Sequence, residues 1–190
     1  MNKIMSRLTK LHTITLPEEV LNKARDFAKI VVDTTDYQDS NQSNRRKIII
    51  DHFVSKLGEE AVKAVMEKND REVIGPDYKI YGPNEKSWDS DLYVNGIGLA
   101  VKTQCRSAAE RYGLSWTFQN IPDGRSDPVL SQPDAWVYFV EYIDTEEPAN
   151  RLIVFPPKQI KALKFEDPVL DRLKGEKLVV YARSLTKEHV

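Results

Sequence analysis

The apolar residues of this chain follow a helical spacing in its first third and strand-like runs afterwards. The spacing predicts one amphipathic helix from about residue 17 to 32, which Pro17 opens, and a longer one from Asn44 to about Lys68. The segment 33–44 between them is rich in Asp, Asn, Ser and Thr, which is typical of an exposed loop. Beyond the second helix the apolar runs are short, which predicts strands.

The most apolar of these runs, Ala135 to Ile143, predicts a central strand buried on both faces. Together the elements predict a single α/β domain over 1–190, with a mixed sheet flanked by helices and residues 1–12 as a flexible lead-in. The other predicted strands are 73–74, 78–81, 115–120, 151–155 and 178–182, and the other predicted helices are 106–112 and one from Pro156-Pro157 to about Leu163.

A β-hairpin is predicted at Asn95-Gly96, because a two-residue type I′ turn needs positive φ at both positions. In this register Leu92 faces Leu99, and directly opposed Cβ atoms lie about 4.5–5.5 Å apart. Alternation then divides the side chains between two faces. One face carries Asp89, Asp91, Tyr93, Ala100, Lys102 and Gln104, and the other carries Leu92, Val94, Leu99 and Val101.

This hairpin resembles the core of the PD-(D/E)XK nucleases, the restriction-endonuclease-like fold. In that family an Asp starts the second strand, and an acidic residue and a Lys two positions apart lie on the third. Asp91 and Lys102 match this layout, with Ala100 at the position of the acidic residue. The resemblance implies a restriction-endonuclease-like core whose mixed central sheet is flanked by helices.

The family resemblance also implies a Mg²⁺ site, which Mn²⁺ can share. Asp91 and the backbone carbonyl of Val101 would be ligands, and Lys102 would stabilise or orient the attacking water. Ala100 removes one expected ligand. Three explanations stay open: an inactivating substitution, a neighbour such as Asp89, Glu59 or Gln104 in its place, or a nuclease fold that no longer cuts.

The second predicted helix adds a further acid to this hypothesis. The segment 57–62, Leu-Gly-Glu-Glu-Ala-Val, resembles the first-helix signature of the same family, in which a Glu projects toward the metal. That match selects Glu59, whereas the helical wheel of the first apolar stripe places Glu60 nearer the core. Two solvated glutamates on a helix surface are the alternative interpretation.

Four polar residues after the hairpin are candidate contacts to phosphates or bases. Arginine and glutamine can bind guanine and adenine edges with two hydrogen bonds, which makes them common in DNA readers. Each is also an ordinary surface residue type. The candidates are Arg106, Arg111, Gln119 and Arg125.

Composition limits the function classes only broadly. A net charge of −1 gives no global signature of nucleic-acid binding. The single cysteine, Cys105, excludes an intramolecular disulfide and a cysteine-rich zinc site, and is consistent with a reducing cytoplasm. No apolar run approaches the roughly 20 residues that span a bilayer, and the N-terminus lacks a signal-peptide core, so we expect no membrane partner.

The resemblance implies a Mg²⁺-dependent endodeoxyribonuclease that cuts double-stranded DNA, in the manner of a type II restriction endonuclease and as a homodimer. The first alternative is a catalytically inactive module of the same fold that binds DNA or another subunit. The second is an α/β protein with a charged hairpin and no DNA affinity. The segment 13–19 also resembles the strand-to-helix start of ribbon-helix-helix DNA-binding proteins.

Overall fold

The computed structural model describes residues 8–34, 44–81, 90–121 and 126–185. The predicted contributions of Asp89 and Arg125, and most of the loop 33–44, therefore lie outside the described residues. The helices are α1 (Glu18–Val31), α2 (Arg45–Glu67), α3 (Arg106–Tyr112) and α4 (Ala182–Leu185). The strands are β1 (His12–Thr15), β2 (Val73–Ile74), β3 (Leu92–Val94), β4 (Ile97–Cys105), β5 (Ser115–Gln119), β6 (Trp136–Ile143), β7 (Arg151–Val154), β8 (Lys158–Gln159) and β9 (Lys177–Tyr181).

The main sheet is mixed, which confirms the predicted α/β class. Six strands follow the order β1-β7-β6-β4-β3-β2, and β8 pairs with the start of β6. β4 and β6 run parallel, and the other pairs are antiparallel. The crossover between β4 and β6 contains α3 and β5. The predicted hairpin therefore lies directly beside the central strand.

The hairpin forms in the predicted register. Leu92 pairs with Leu99, and the two turn residues Asn95 and Gly96 have φ of 48° and 77°. These values lie in the left-handed region that the sequence Asn-Gly favours. The Asn95 side chain also accepts a hydrogen bond from the backbone N–H of Glu72, at 3.1 Å, which ties the turn to the entry of β2.

Two hydrophobic cores cover opposite faces of the main sheet. On one face α1 and α2 pack against Leu92, Val101 and Tyr138. On the other face the two-stranded sheet of β5 and β9 packs against alternate residues of β6, Val137 and Phe139. β6 is buried on both sides, as its near-continuous apolar sequence predicts.

Three sequence-based predictions of secondary structure were wrong. His12, which the sequence places in the lead-in, belongs to β1, and β1 pairs with β7 along its length. The segment 78–81 is not a strand, and the ring of Tyr78 packs against Phe27, with centroids 5.4 Å apart. The helix predicted after Pro156-Pro157 is a two-residue strand and a 3₁₀ turn, Ile160–Ala162, since β8 completes the ladder of β6.

No helix in the described part of the chain is both long enough and apolar enough to cross a membrane.

The approach of α2 to β4 is closest at Gly58. A Cβ atom on Gly58 would overlap the hydroxyl of Thr103, and the Thr103 Cβ would lie only 3.0 Å away. The Thr103 hydroxyl is buried and has no hydrogen-bond partner among the described residues. Glycine therefore sets the distance between this helix and the sheet.

We expect Gly58→Ala to lower the free energy of unfolding by about 1–3 kcal/mol, as overpacked cores do. Helix propensity alone predicts the opposite sign, a gain of about 1 kcal/mol. Urea denaturation followed by circular dichroism measures the difference. The double variant Gly58→Ala/Thr103→Ala should recover most of the loss, and a stabilised single variant would contradict the close approach.

Candidate active site

The first element of the candidate site is Asp91, immediately before β3. The antiparallel ladder between β3 and β4 ends at Leu92 and Leu99, so the N–H of Val101 lies beyond the last backbone pair. The Asp91 carboxylate accepts this N–H through Oδ2 at 2.7 Å. The Asp91 carboxylate thus takes the place of a backbone carbonyl and continues the hydrogen bonding between the two strands. It is held beside the backbone of residue 101.

Lys102 lies on the face of β4 that is turned toward β5. Its ammonium donates to Oδ2 of Asp127 at 2.8 Å and lies 4.8 Å from the centre of the Phe118 ring. The side chain is half-buried, with 24% of its surface exposed. An aromatic ring and a carboxylate therefore fix the position of the charged group.

Asp127 was not among the residues predicted from sequence. It lies between β5 and the 3₁₀ turn Pro128–Ser131, and its Oδ2 accepts both Lys102 and the backbone N–H of Gln119, at 3.0 Å. An Asp that precedes a Pro at the start of a short helical turn is common. The sequence carries no signal that links Asp127 to Lys102, which is 25 residues away.

Glu59 is the second acid of the candidate site and lies on α2. Its residue is only 3% exposed, and its carboxylate accepts hydrogen bonds from Lys56 Nζ at 2.6 Å and Ser55 Oγ at 3.3 Å. Glu60 instead accepts the Tyr78 hydroxyl at 3.0 Å. The negative charge of Asp91 contributes to the raised pKa of Glu59.

These five residues form what we call the Asp91 cluster: Lys56, Glu59, Asp91, Lys102 and Asp127. Burial raises the pKa of Glu59 from 4.5 to about 7, against the opposing effect of the Lys56 ammonium and with a smaller contribution from Asp91. Burial also raises the pKa of Asp91, although the Val101 hydrogen bond and the two lysines oppose this. Raised carboxyl pKa values in a charged cluster are typical of functional sites.

The remaining predicted residues have other partners. Ala100 packs on the second core, on the face that also carries Lys102. Gln104 accepts the backbone N–H of Ser115 at 2.8 Å, which fixes the start of β5. Among the candidate DNA contacts, Arg111 is exposed in the last turn of α3. The backbone N–H of Gln119 donates a hydrogen bond to the Asp127 carboxylate.

Arg106 lies in a separate ion-pair network. Its Nε donates to Glu141 at 2.8 Å and its guanidinium also lies 3.4 Å from Glu146. Glu141 is largely buried, so the arginine compensates a carboxylate that has lost most of its contact with water. This network gives Arg106 a structural role that the sequence did not indicate.

The candidate site contains two carboxylates that could serve as Mg²⁺ ligands, those of Asp91 and Glu59. In the part of the chain that the structure describes, no three His, Cys, Asp or Glu side chains form a group that could hold a metal ion. Asp91 and Glu59 supply two carboxylates, and Mg²⁺ is commonly held by one or two carboxylates together with waters and substrate phosphates. A Mg²⁺ or Mn²⁺ ion at this position would need further oxygen ligands from water or from substrate.

Comparisons with protein-family models, with curated proteins and with solved structures find no match to this chain.

The buried acid Glu59 should make stability fall as pH rises. The unfolded carboxyl ionises near pH 4.5 and the folded one near 7, so this contribution is complete below pH 4.5 and is lost by about pH 7. The shift corresponds to about 3 kcal/mol. Urea denaturation between pH 5 and 8 should therefore show a flatter profile for Glu59→Gln than for the wild-type protein.

The exposed acid Glu67, on the last turn of α2, offers a matched control. Glu67→Gln should leave the pH profile unchanged. A Glu59→Gln profile as steep as that of the wild-type protein would contradict the buried position of this carboxyl group.

Removal of Arg106 should destabilise the protein because it leaves Glu141 buried without a counter-ion. We expect Arg106→Met to lower the free energy of unfolding by about 2–3 kcal/mol. Arg106→Met/Glu141→Gln should recover most of that loss in thermal or urea unfolding. Arg111→Met, on an exposed position of the same helix, should change stability by less than about 0.5 kcal/mol. Equal effects of the two single variants would argue against the network.

Proposed function

We propose that this chain is a Mg²⁺-dependent endonuclease of the PD-(D/E)XK type that hydrolyses phosphodiester bonds in duplex DNA. The observation that carries the proposal is the hydrogen bond from Val101 to Asp91. It holds a carboxylate beside the strand segment that bears Lys102, and the charge of Asp91 contributes to the raised pKa of Glu59 on α2. These two acids and the lysine are residues that the family resemblance selects, which supports the proposal.

The order of the elements supports the same proposal. Helix α2 is followed by the antiparallel strands β2, β3 and β4. Asp91 precedes the second strand of this set and Lys102 lies on the third, which is the layout that the resemblance implies. β6 then pairs parallel to β4 and completes a mixed sheet with α1 and α2 on one face.

In the proposed mechanism Asp91 and Glu59 would hold a metal ion, with the Val101 carbonyl as a further oxygen ligand. A Mg²⁺ ion held there would supply Lewis acidity toward the scissile phosphate and the attacking water. Lys102 stabilises negative charge that develops beside the attacking oxygen. The ionised form of Glu59 is the one that can bind a cation, so activity should rise as pH increases through about 7.

The second candidate is a non-catalytic module of the same fold that binds DNA or another subunit. Ala100 favours it, because the cluster lacks the acid that the family places two residues before the lysine. Sequence-specific cleavage, a homodimer and a cytoplasmic location remain parts of the nuclease hypothesis. The arginines and glutamine after the hairpin are the basis for sequence-specific cleavage, and the single cysteine is the basis for a cytoplasmic location. The homodimer is implied by the family resemblance alone.

DNA cleavage tests the two candidates directly. We expect the wild-type protein with Mg²⁺ or Mn²⁺ to cut plasmid and genomic DNA, and Asp91→Ala or Lys102→Ala to lower the rate at least about 100-fold, since each removes charge stabilisation of the transition state. Lys164→Ala, on a side chain that is 73% exposed, is the control and should leave the rate unchanged. Ala100→Glu should raise the rate by adding a metal ligand.

The outcomes separate the candidates. Cleavage by Ala100→Glu alone would identify the natural chain as the non-catalytic module. Duplex binding that tightens with Mg²⁺ but gives no cleavage in any variant would indicate a DNA-binding protein with a retained metal site. Absence of both cleavage and salt-dependent DNA binding would refute the nucleic-acid hypothesis, because phosphate contacts always give a steep salt dependence.

A further inference from the structure

We propose that Asp127 is the positioning residue of Lys102 and places a carboxylate beside this lysine from outside strand β4. This inference rests on the proposed nuclease function and identifies a residue that the family resemblance does not place. Its basis is the 2.8 Å ion pair between Lys102 and Asp127. In effect, the acid beside the lysine comes from a different part of the chain.

The geometry makes Asp127 a fixed support. Its Oδ2 accepts the backbone N–H of Gln119 at 3.0 Å, so the carboxylate is tied to the end of β5 and does not follow the lysine. The Asp127 backbone N–H donates in turn to the carbonyl oxygen of Gln119 at 2.9 Å. Two hydrogen bonds to one residue of a strand give the side chain little freedom.

Lys102 in turn depends on this support. A lysine ammonium on a four-carbon stem has many conformers, and an oriented partner restricts them. Phe118 lies under the ammonium on one side and Asp127 binds it on another. Phe118 lies in β5, and Asp127 is hydrogen-bonded to the end of that strand. The packing of the two-stranded sheet against the main sheet therefore determines where the Lys102 ammonium lies.

Asp127 is also close enough to influence Asp91. Its negative charge raises the pKa of Asp91, whereas the lysines Lys102 and Lys56 lower it. The three acids and two lysines of the Asp91 cluster therefore form one electrostatic unit. Asp127 lies at the Lys102 end and Lys56, which binds Glu59, lies at the other.

A positioning role predicts a split between the kinetic constants. Without the carboxylate the ammonium is misplaced in the transition state, so kcat should fall about 30- to 100-fold. KM should stay constant or decrease, because the change removes a negative charge near the substrate phosphate. A purely structural role would instead lower the melting temperature and impair both constants.

Steady-state cleavage kinetics of Asp127→Asn with Mg²⁺ test this split, with thermal unfolding measured on the same samples. Asp127→Glu should restore at least a third of wild-type kcat. Asp127→Asn/Ala100→Asp, which moves the acid back to the strand, should restore kcat to within about tenfold. The matched control is Asp134→Asn, which removes an exposed partner of Lys161 and should change neither constant.

A second measurement does not depend on activity. Lysine side-chain NMR should show a slowly exchanging ammonium group for Lys102 that is absent from Lys102→Arg and is lost in Asp127→Asn. Persistence of that signal in Asp127→Asn would overturn the inference, as would a wild-type kcat for this variant. If the wild-type protein cuts no DNA, the proposed function fails first and the catalytic role of Asp127 fails with it.

Discussion

The close approach of helix α2 to strand β4 determines where Glu59 lies in the candidate site. Gly58 meets Thr103 with no room for a Cβ atom, so a larger residue at position 58 would push the helix away from the sheet. The next residue, Glu59, is buried, and burial is the main cause of its raised pKa. A helix farther from the sheet would expose this carboxylate to water. The fit of Gly58 against Thr103 therefore supports the burial on which the electrostatics of Glu59 depend.

Burial makes the charges of the Asp91 cluster interdependent. Removing a carboxylate from water costs free energy unless a cation or donor compensates it. Each acid has such a partner: Lys56 for Glu59, the Val101 N–H for Asp91, and Lys102 for Asp127. Desolvation still outweighs these partners at Glu59 and Asp91, since both pKa values are raised. Both carboxyl groups are therefore harder to ionise in the folded protein than in water.

Local features of the sequence predicted the fold far better than features that depend on distant contacts. The Asn95-Gly96 hairpin and its register, the long helix α2 and the buried strand β6 each follow from residues adjacent in sequence, and the structure confirms all three. The strand β8 was missed because only its pairing with β6 makes it a strand. The same limit applies to the site: Asp91 and Lys102 follow from the hairpin, whereas Asp127 depends on the layer of β5.

Position 100 shows that a carboxylate beside Lys102 need not come from strand β4. Ala100 and Lys102 lie on one face of β4, and the β5 layer covers that face. A carboxylate near the lysine can come from β4 itself or from the covering layer, because both surround the same small volume. In this protein the covering layer supplies it. Sequence motifs record only the first arrangement, so a motif that lacks its acid does not by itself exclude the chemistry of the family.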